Sequence, residues 1–462
     1  MSKTIPTRAK VRVSIVIALL GTIAAVLAVS GNGIRTAGPV LVAIQPLPED
    51  GEMCPLISTS AESSLFASML QERSSREAMP SDSARAEVTR RKPVRMIRDP
   101  YLAYSAVAVD VAHNEVVMAD ENLFSIVAYN RLENTPAAAK MSEPKRMIQG
   151  MNTELEFECS LYVDPENGDI YAVNNDTLGK LVVFSRQARG DAAPDRSLDT
   201  PMGTYGIAID EKNQEMMLTV QNDAAVVSFR KGAKGQDSPL RTLQGPQTLL
   251  ADPHGIALDP GAGLLFVSNW GSVNEHRKPA SGPVLGSLGR GVGRSNWPIG
   301  MPHAVPGSGK FMPPSITVYA RSSSGDTAPL RVIQGPKTQL NWPTALAFDP
   351  ERGELYVAND PADSVLVFKA DASGDVAPIR VLRGPKTQIK NPTSVNLDLK
   401  NDELWVANFG NHTATVYKRS ANGDTPPLRV IRSAPIGAPT PMMGNPNVLA
   451  YDSKREELLV AN

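Results

Sequence analysis

The sequence has little cysteine, little histidine and no excess of charge of either sign. It contains two cysteines and five histidines in 462 residues, and 47 Lys and Arg balance 48 Asp and Glu to a formal net charge of −1. A chain so balanced has no global field that would recruit nucleic acid or an anionic membrane. Cys54 and Cys159 permit at most one internal disulfide, and residues so far apart in sequence fit two separate thiols equally well.

The first 30 residues have the pattern of an export signal. Four basic residues precede the apolar run 15–29, and Ala28-Val29-Ser30 has the small residues of a cleavage site. The stretch 11–29 is also long enough for an uncleaved membrane anchor. We therefore expect a signal peptide or N-terminal anchor over residues 1–30. The rest of the chain is then extracytoplasmic: secreted, periplasmic or membrane-anchored at the cell surface. Residues 31–92 are predicted to be a linker that is disordered or partly helical.

From residue 93 onward the chain repeats one unit about 50 residues long. An aspartate closes the first apolar run of each copy: Asp110, Asp164, Asp210, Asp259, Asp349, Asp398 and Asp452. Each copy contains four short runs rich in Val, Ile and Leu, separated by turn residues, and helical patterns are absent. Four antiparallel strands per copy predict an all-β fold, a seven-bladed β-propeller.

The two ends of the repeat region predict how the ring closes. Residues 449–462 supply only two strands of the seventh copy, whereas residues 93–97 match the pattern of a fourth strand. We therefore expect the closing blade of the propeller, residues 93–462, to be shared by its N- and C-terminal ends, which leaves no open sheet edge. Residues 40–44 are the candidate for the third strand of that blade.

One stretch of the fifth copy carries a family resemblance. Tyr356-Val357-Ala358-Asn359-Asp360, followed by the strand 364–368, resembles the NHL repeat, and its Tyr-Val-Ala-Asn element is similar to the repeat of YVTN-type seven-bladed propellers. The resemblance covers residues 93–462. It implies the architecture but no single activity, because these families include cell-surface scaffolds, protein-binding modules, lactonases and lyases.

Residues that recur in every copy are interpreted as structural. We expect the repeated aspartates to close their hairpin turns and the amides that end the second strands to bind backbone groups. The arginines that begin the fourth strands are expected to protect the outer edge. Trp405, which replaces Tyr356 of the preceding copy, is expected to pack inside a blade.

Functional residues are expected where the copies differ. The residues that start the first strands line one mouth of the central channel, and such a mouth is a default ligand site. These residues are Ser105, Cys159, Tyr205, His254, Thr344, Thr393 and Asn447. Glu158 is the carboxylate next to this ring, and Trp270, Trp297 and Trp342 map to the same face.

The fourth copy also carries an insertion, residues 271–313, that opens on the same face. It contains His276, His303, several basic residues and the glycine-rich stretch 286–293. So long a loop in a propeller suggests a use. The glycine run lacks the Lys-Ser/Thr of a phosphate loop and is interpreted as a flexible lid or loop. No closely spaced histidine pair supports a metal site.

Two functions from different classes remain open. We favour an exported binding or scaffold protein, a monomer without cofactor or metal, that recognises an envelope polymer, a glycan or a partner protein. Its expected ligand-binding residues are Ser105, Glu158, Tyr205, His254, Trp270, Trp297, Thr344, Thr393 and Asn447. The alternative is a lactonase-like hydrolase or lyase, with His254 as base and a metal near Glu158, Asn269 and Asn447. One acid and one histidine are a thin catalytic set, so enzyme activity is not favoured.

Overall fold

A computed structural model of the chain describes residues 90, 99–175, 179–276, 298–299, 304–440, 449–452, 454 and 457–460. Its contacts divide the chain into two units, residues 1–94 and 95–462. The predicted signal or anchor (1–30), the predicted linker (31–92, except Arg90) and the candidate strand 93–97 lie outside the described residues. Within the described ranges, no helix is long and apolar enough to cross a membrane.

Six four-stranded antiparallel sheets form the blades, so the prediction of an all-β propeller with four-stranded blades is confirmed. Blade 1 contains β1 (Tyr104–Asp110), β2 (Glu115–Asp120), β3 (Ser125–Asn130) and β4 (Arg146–Ile148). Blade 2 contains β5 (Glu158–Val163), β6 (Ile170–Asn174), β7 (Lys180–Phe184) and β8 (Arg196–Asp199). Blade 3 contains β9 (Thr204–Asp210), β10 (Glu215–Val220), β11 (Ala225–Arg230) and β12 (Arg241–Gln244).

The other three blades follow the same plan, with one hairpin added. Blade 4 contains β13 (Pro253–Asp259), β14 (Leu264–Asn269), β17 (Ser315–Ala320) and β18 (Arg331–Gln334), and the hairpin β15 (Ser272–His276) and β16 (Ala304–Phe311) lies between its middle strands. Blade 5 contains β19 (Pro343–Asp349), β20 (Glu354–Asn359), β21 (Ser364–Lys369) and β22 (Arg380–Leu382). Blade 6 contains β23 (Pro392–Asp398), β24 (Glu403–Asn408), β25 (Thr413–Lys418) and β26 (Arg429–Arg432).

The hydrophobic core is divided among the six contacts between neighbouring blades. Six clusters of buried residues form, and each joins two adjacent blades. The cluster between blades 6 and 1 contains Tyr104, Val107, Trp405 and Val416. Trp405 has no exposed surface, so its predicted packing role is confirmed. Strands buried on both faces read as continuous apolar runs because a blade is covered by its two neighbours.

The ring of described residues closes between blade 6 and blade 1, one blade earlier than the predicted seven. The Thr393 hydroxyl donates to the Tyr104 carbonyl at 3.2 Å, and the long loop after β3 covers the outer strand of blade 6, where Thr135 N–H donates to Val430 O at 2.8 Å. Among the described residues, the seventh copy forms a two-stranded sheet of β27 (Leu449–Asp452) and β28 (Glu457–Val460). The repeat count differs from the blade count because β1 and β23 contact each other directly.

On the face where the first strands end, here called the turn face, the repeated aspartates act as predicted. Asp349 Oδ1 accepts the N–H groups of Glu351 and Arg352, and the equivalent aspartates of the other blades accept turn N–H groups in the same way. The prediction that these aspartates close their hairpin turns is therefore confirmed for the six blades.

Ion pairs join the blades on the turn face. A basic residue just after the third strand reaches acidic groups of the preceding blade at five of the six contacts between blades. The pairs are Arg131–Asp398, Arg186–Glu115, Lys231–Asp164, Arg321–Asp210 and Arg419–Asp349. At the sixth contact, between blades 4 and 5, Ala370 takes the place of the basic residue, and Phe266 stacks on Phe348 at 5.5 Å between ring centroids.

Candidate functional site

A register shift at the start of every first strand shapes the channel mouth. The antiparallel pairing of each first strand with its neighbour is interrupted by one or two residues. The residues in these six interruptions include Ser105, Cys159, Tyr205, His254, Thr344 and Thr393. A bulge re-aims the side chain that it carries and bends the strand. The six ring positions expected from the repeats are therefore structurally equivalent, whereas Asn447 lies outside the described residues.

Three of the six residues around the channel mouth form hydrogen bonds between blades through their hydroxyl groups. Ser105 donates to the Glu158 carbonyl at 2.5 Å, Thr344 to the Pro392 carbonyl at 3.1 Å, and Thr393 to the Tyr104 carbonyl. Cys159 is buried, and its Sγ donates to the Phe157 carbonyl at 3.4 Å. The sequence left open whether Cys159 pairs with Cys54, and this stays untested because Cys54 lies outside the described residues.

The chemistry of the mouth is concentrated in a column of four rings that crosses blades 3, 4 and 5. The His254 imidazole stacks on the Trp270 indole at 3.6 Å between centroids and 6° between planes, and Tyr205 packs tilted against His254 at 4.3 Å and 57°. Trp342 stacks on Trp270 at 4.7 Å and 16°. Four aromatic side chains spread over residues 205–342 thus contact one another in a row, which we call the aromatic column.

Glycine makes the approach of blades 3 and 4 possible at the column. A Cβ added to Gly206, the residue after Tyr205, would lie 2.4 Å from the His254 carbonyl oxygen, a distance that no side chain tolerates. The same carbonyl accepts the Thr219 hydroxyl at 2.6 Å. The backbone therefore holds Tyr205 and His254 in contact through a close approach and a hydrogen bond.

His254 is held as a neutral imidazole of one tautomer. Its Nδ1 lies 2.9 Å from the Asp252 carbonyl oxygen, which can only accept, so Nδ1 carries the proton. Burial lowers the pKa of His254, and the nearby Asp252 only partly opposes this effect. The ring nitrogen Nε2 therefore keeps its lone pair at neutral pH and can act as an acceptor or as a base.

Trp342 ends the column and is its exposed member. The side chain is 49% exposed although one face lies on Trp270. Its backbone adopts φ 47°, in the left-handed region. The equivalent positions before β5, β9, β13 and β23 carry Phe157 at φ 48°, Gly203, Asp252 and Asn391. A bulky residue is strained in this conformation, and blade 2 accepts the same strain with Phe157. The exposure of the indole, rather than its backbone, therefore distinguishes Trp342.

Glu158 is buried completely, and neither of its carboxylate oxygens has a hydrogen-bond partner in the described part of the chain. Burial raises its pKa well above the usual range, and the charges of Asp120, Glu121 and Glu156 add to this effect. Burial without a hydrogen-bond partner therefore favours the protonated form of this carboxyl. Asp120 is different: it accepts the Ala103 and Leu123 N–H groups, although burial still raises its pKa to about 7.

Two further carboxylates at the mouth were missed by the sequence reasoning. Asp360 and Glu121 each follow the last residue of a second strand, at the position that Trp270 occupies in blade 4. A comparison of this position across the copies would have found them, since it holds Glu121, Asn175, Gln221, Trp270, Asp360 and Phe409. The position is as variable as the ring of first-strand residues.

Of the residues proposed for a metal in the alternative function, Asn447 lies outside the described residues and Asn269 has other partners. The Asn269 amide is occupied: Oδ1 accepts the Ala251 N–H at 3.0 Å and Nδ2 donates to Thr317 Oγ1 at 3.1 Å. Asn359 and Asn408 bind loop backbone in the same way, as expected for these amides. Among the described residues, no three His, Cys, Asp or Glu side chains are grouped to hold a metal ion. His303, Trp297 and the glycine run 286–293 lie outside the described ranges.

Comparison with known proteins supports the fold and gives one partial family match. Residues 310–442 match the family model "Lactonase, 7-bladed beta-propeller". That stretch holds Trp342 and Asp360 but not Tyr205, His254 or Trp270. No curated protein matches the chain. The solved structure of hydrazine synthase from Kuenenia stuttgartiensis is similar at 12% identity over 80% of this chain and 98% of that chain, with a TM-score of 0.44. A likeness so weak carries no argument about function. The chain is a β-propeller protein, and its NHL or YVTN type stays a prediction.

Proposed function

We propose that this protein is an exported β-propeller that binds a glycan at the channel mouth, with the aromatic column as the binding surface. The exposed indole of Trp342 carries the proposal. A flat aromatic face in a concave mouth offers apolar contact, and carboxylates beside it accept hydrogen bonds from hydroxyl groups. Export rests on the pattern of residues 1–30, and an envelope polymer or a glycosylated partner protein would present the glycan.

The proposed site keeps four of the residues expected from the sequence and adds Trp342. The proposed core is Tyr205, His254, Trp270 and Trp342, with Glu158 at the adjacent blade. Ser105, Thr344 and Thr393 support the mouth by joining blades. Trp297 and Asn447 remain predicted members.

A glycan array followed by calorimetry with the best ligand tests this function. We expect Trp342→Ala to weaken binding about fivefold or more, because truncation of an aromatic anchor typically costs about 1 kcal/mol or more. Leu330→Ala is the matched control, since Leu330 is 60% exposed and lies directly before β18, the outer strand of blade 4, whereas the column lies at the channel mouth. Equal loss in both variants, or array signal that Trp342→Ala leaves unchanged, would refute binding at the column.

A lactonase-like hydrolase is the second candidate, because two observations favour it. Residues 310–442 match the lactonase model, and the His254 Nε2 is available as a base. Lactone hydrolysis by the purified protein, lost in His254→Gln at unchanged stability, would establish it. Glycan binding without turnover of any lactone would reject it.

A further inference from the structure

The described part of the mouth is acidic around the hydroxyl of Tyr205. Burial raises the pKa of Tyr205 well above its usual range, and the negative charges of Glu121, Asp360 and Asp252 add to the effect. These carboxylates come from blades 1, 5 and 4. All three adjoin strand ends on the mouth face: Glu121 and Asp360 follow second strands, and Asp252 precedes the first strand β13.

Asp360 is the carboxylate best placed beside the aromatic column. Its backbone N–H donates to the Trp342 carbonyl at 3.4 Å, so the two residues adjoin each other at the rim. The side chain is only 7% exposed. Its Oδ1 accepts the Asn391 Nδ2 at 3.0 Å, and Oδ2 has no hydrogen-bond partner among the described residues.

The nearby basic group does not neutralise Asp360. Lys390 is bound to Asp363 at 2.8 Å and is about half exposed. In blade 6 the position of Asp360 is taken by Phe409, so the fold does not need an acid there. A buried carboxylate with one open oxygen is stabilised by a donor that carries positive charge.

We propose that the glycan bound by this protein carries free amino groups, and that a sugar ring on Trp342 directs an ammonium group to Asp360. This inference rests on the proposed glycan-binding function. A primary ammonium supplies three donors and a positive charge, which the open oxygen of Asp360 accepts. The acidic surroundings of Tyr205 attract such a ligand and repel a uronic or sulfated one.

A pair of oligosaccharides that differ only in charge tests the inference. Isothermal titration of the full chain is carried out with the β1,4-linked tetramer of glucosamine and with its fully N-acetylated counterpart, at neutral pH and low salt. We expect the free amine to bind at least tenfold more tightly. Asp360→Asn should abolish this preference, and Trp342→Ala should weaken both ligands. The control Asp371→Asn removes the same charge from an exposed residue beyond the end of β21, and it should keep the preference.

The possible outcomes separate the inference from the function on which it rests. Equal affinity for the two tetramers, or tighter binding of the acetylated one, overturns the amine and leaves glycan binding intact. A preference that survives in Asp360→Asn, or that Asp371→Asn also removes, overturns the role of Asp360. Absence of binding to either tetramer or to any array glycan overturns both proposals.

Discussion

The two faces of the propeller are built from the same repeats but differ in how much the copies agree. On the turn face, the same aspartate caps the same turn in every described blade, and ion pairs join neighbours at five contacts. On the mouth face, equivalent positions hold Ser, Cys, Tyr, His and Thr, and four rings from different copies form one column. Repetition thus serves closure and stability on one face, while divergence provides a surface on the other.

The largest loss of stability is expected when an ion pair of the turn face is removed. Arg419 is 5% exposed and contacts Asp349 at 2.7 Å, Glu351 at 2.9 Å and Asp402 at 3.0 Å. Arg419→Ala removes the nearer cation of the fully buried Asp349 and leaves only Arg352, whose Nε lies 4.0 Å from Asp349 Oδ2. We expect the free energy of unfolding to fall by about 3–5 kcal/mol, measured by urea denaturation, while ligand affinity stays unchanged.

Lys418→Ala is the matched control for Arg419→Ala, because Lys418 is exposed and lies 3.9 Å from Asp402. Its loss should change stability by less than about 0.5 kcal/mol. A similar small effect in both variants would show that the turn face does not depend on these pairs. A loss of ligand affinity in folded Arg419→Ala would show that the two faces are coupled.

On the mouth face, ionisation of Asp360 should lower the free energy of unfolding as the pH rises. Burial raises the pKa of Asp360 from its ordinary 3.8 to about 6. The folded state therefore holds the proton more tightly than the unfolded state, and stability is greatest below about pH 4 and falls as the pH rises to about 6. The contribution is up to about 3 kcal/mol, and Asp360→Asn should remove it.

Denaturation at several values between pH 4 and pH 7 measures this effect as the difference between Asp360→Asn and the unaltered protein. The difference should grow in favour of the variant as the pH rises. Asp371→Asn, with its exposed side chain, should give a profile parallel to that of the unaltered protein. Parallel profiles for Asp360→Asn as well would contradict the raised pKa.

The contrast between the faces also explains what the sequence could predict. The turn aspartates, the amides of the second strands and Trp405 recur or replace one another at fixed positions, so local rules for turns and packing assign them correctly. The ring of first-strand residues could be aligned from the repeats for the same reason. Their contacts could not, because Ser105 and Thr344 bond to the next blade, and sequence does not give the geometry between blades.

The number of blades cannot be determined from a count of repeats alone. Seven repeated aspartates predict seven blades, but closure depends on whether β1 meets β23. That contact is made by the long loop after β3 and by the cluster around Tyr104 and Trp405, which belong to opposite ends of the described ring. The aromatic column likewise required His254, Trp270 and Trp342 to be placed in three dimensions.

The strain of Trp342 allows the mouth to be tested without a ligand. Trp342→Gly and Trp342→Ala both remove the stack on Trp270, but only glycine accepts the φ of 47° without cost. We expect the glycine variant to be about 1 kcal/mol more stable than the alanine variant, by thermal or urea denaturation. An alanine variant of equal or greater stability would mean that the backbone relaxes out of the left-handed region once the indole is gone.

The smallest expected effect comes from adding to blades 4 and 5 the ion pair that they lack. Ala370 donates its N–H to the Gly353 carbonyl just as Arg419 donates to the Asp402 carbonyl, so the two positions are equivalent. Ala370→Arg should place a guanidinium near Asp259 and raise the free energy of unfolding by less than about 1 kcal/mol. The gain should vanish in 1 M salt and in the double variant with Asp259→Asn. A loss of stability would instead show that the apolar packing of Phe266 and Phe348 has replaced the ion pair at this contact. The turn face would then depart from its common pattern at two of the blades that carry the aromatic column.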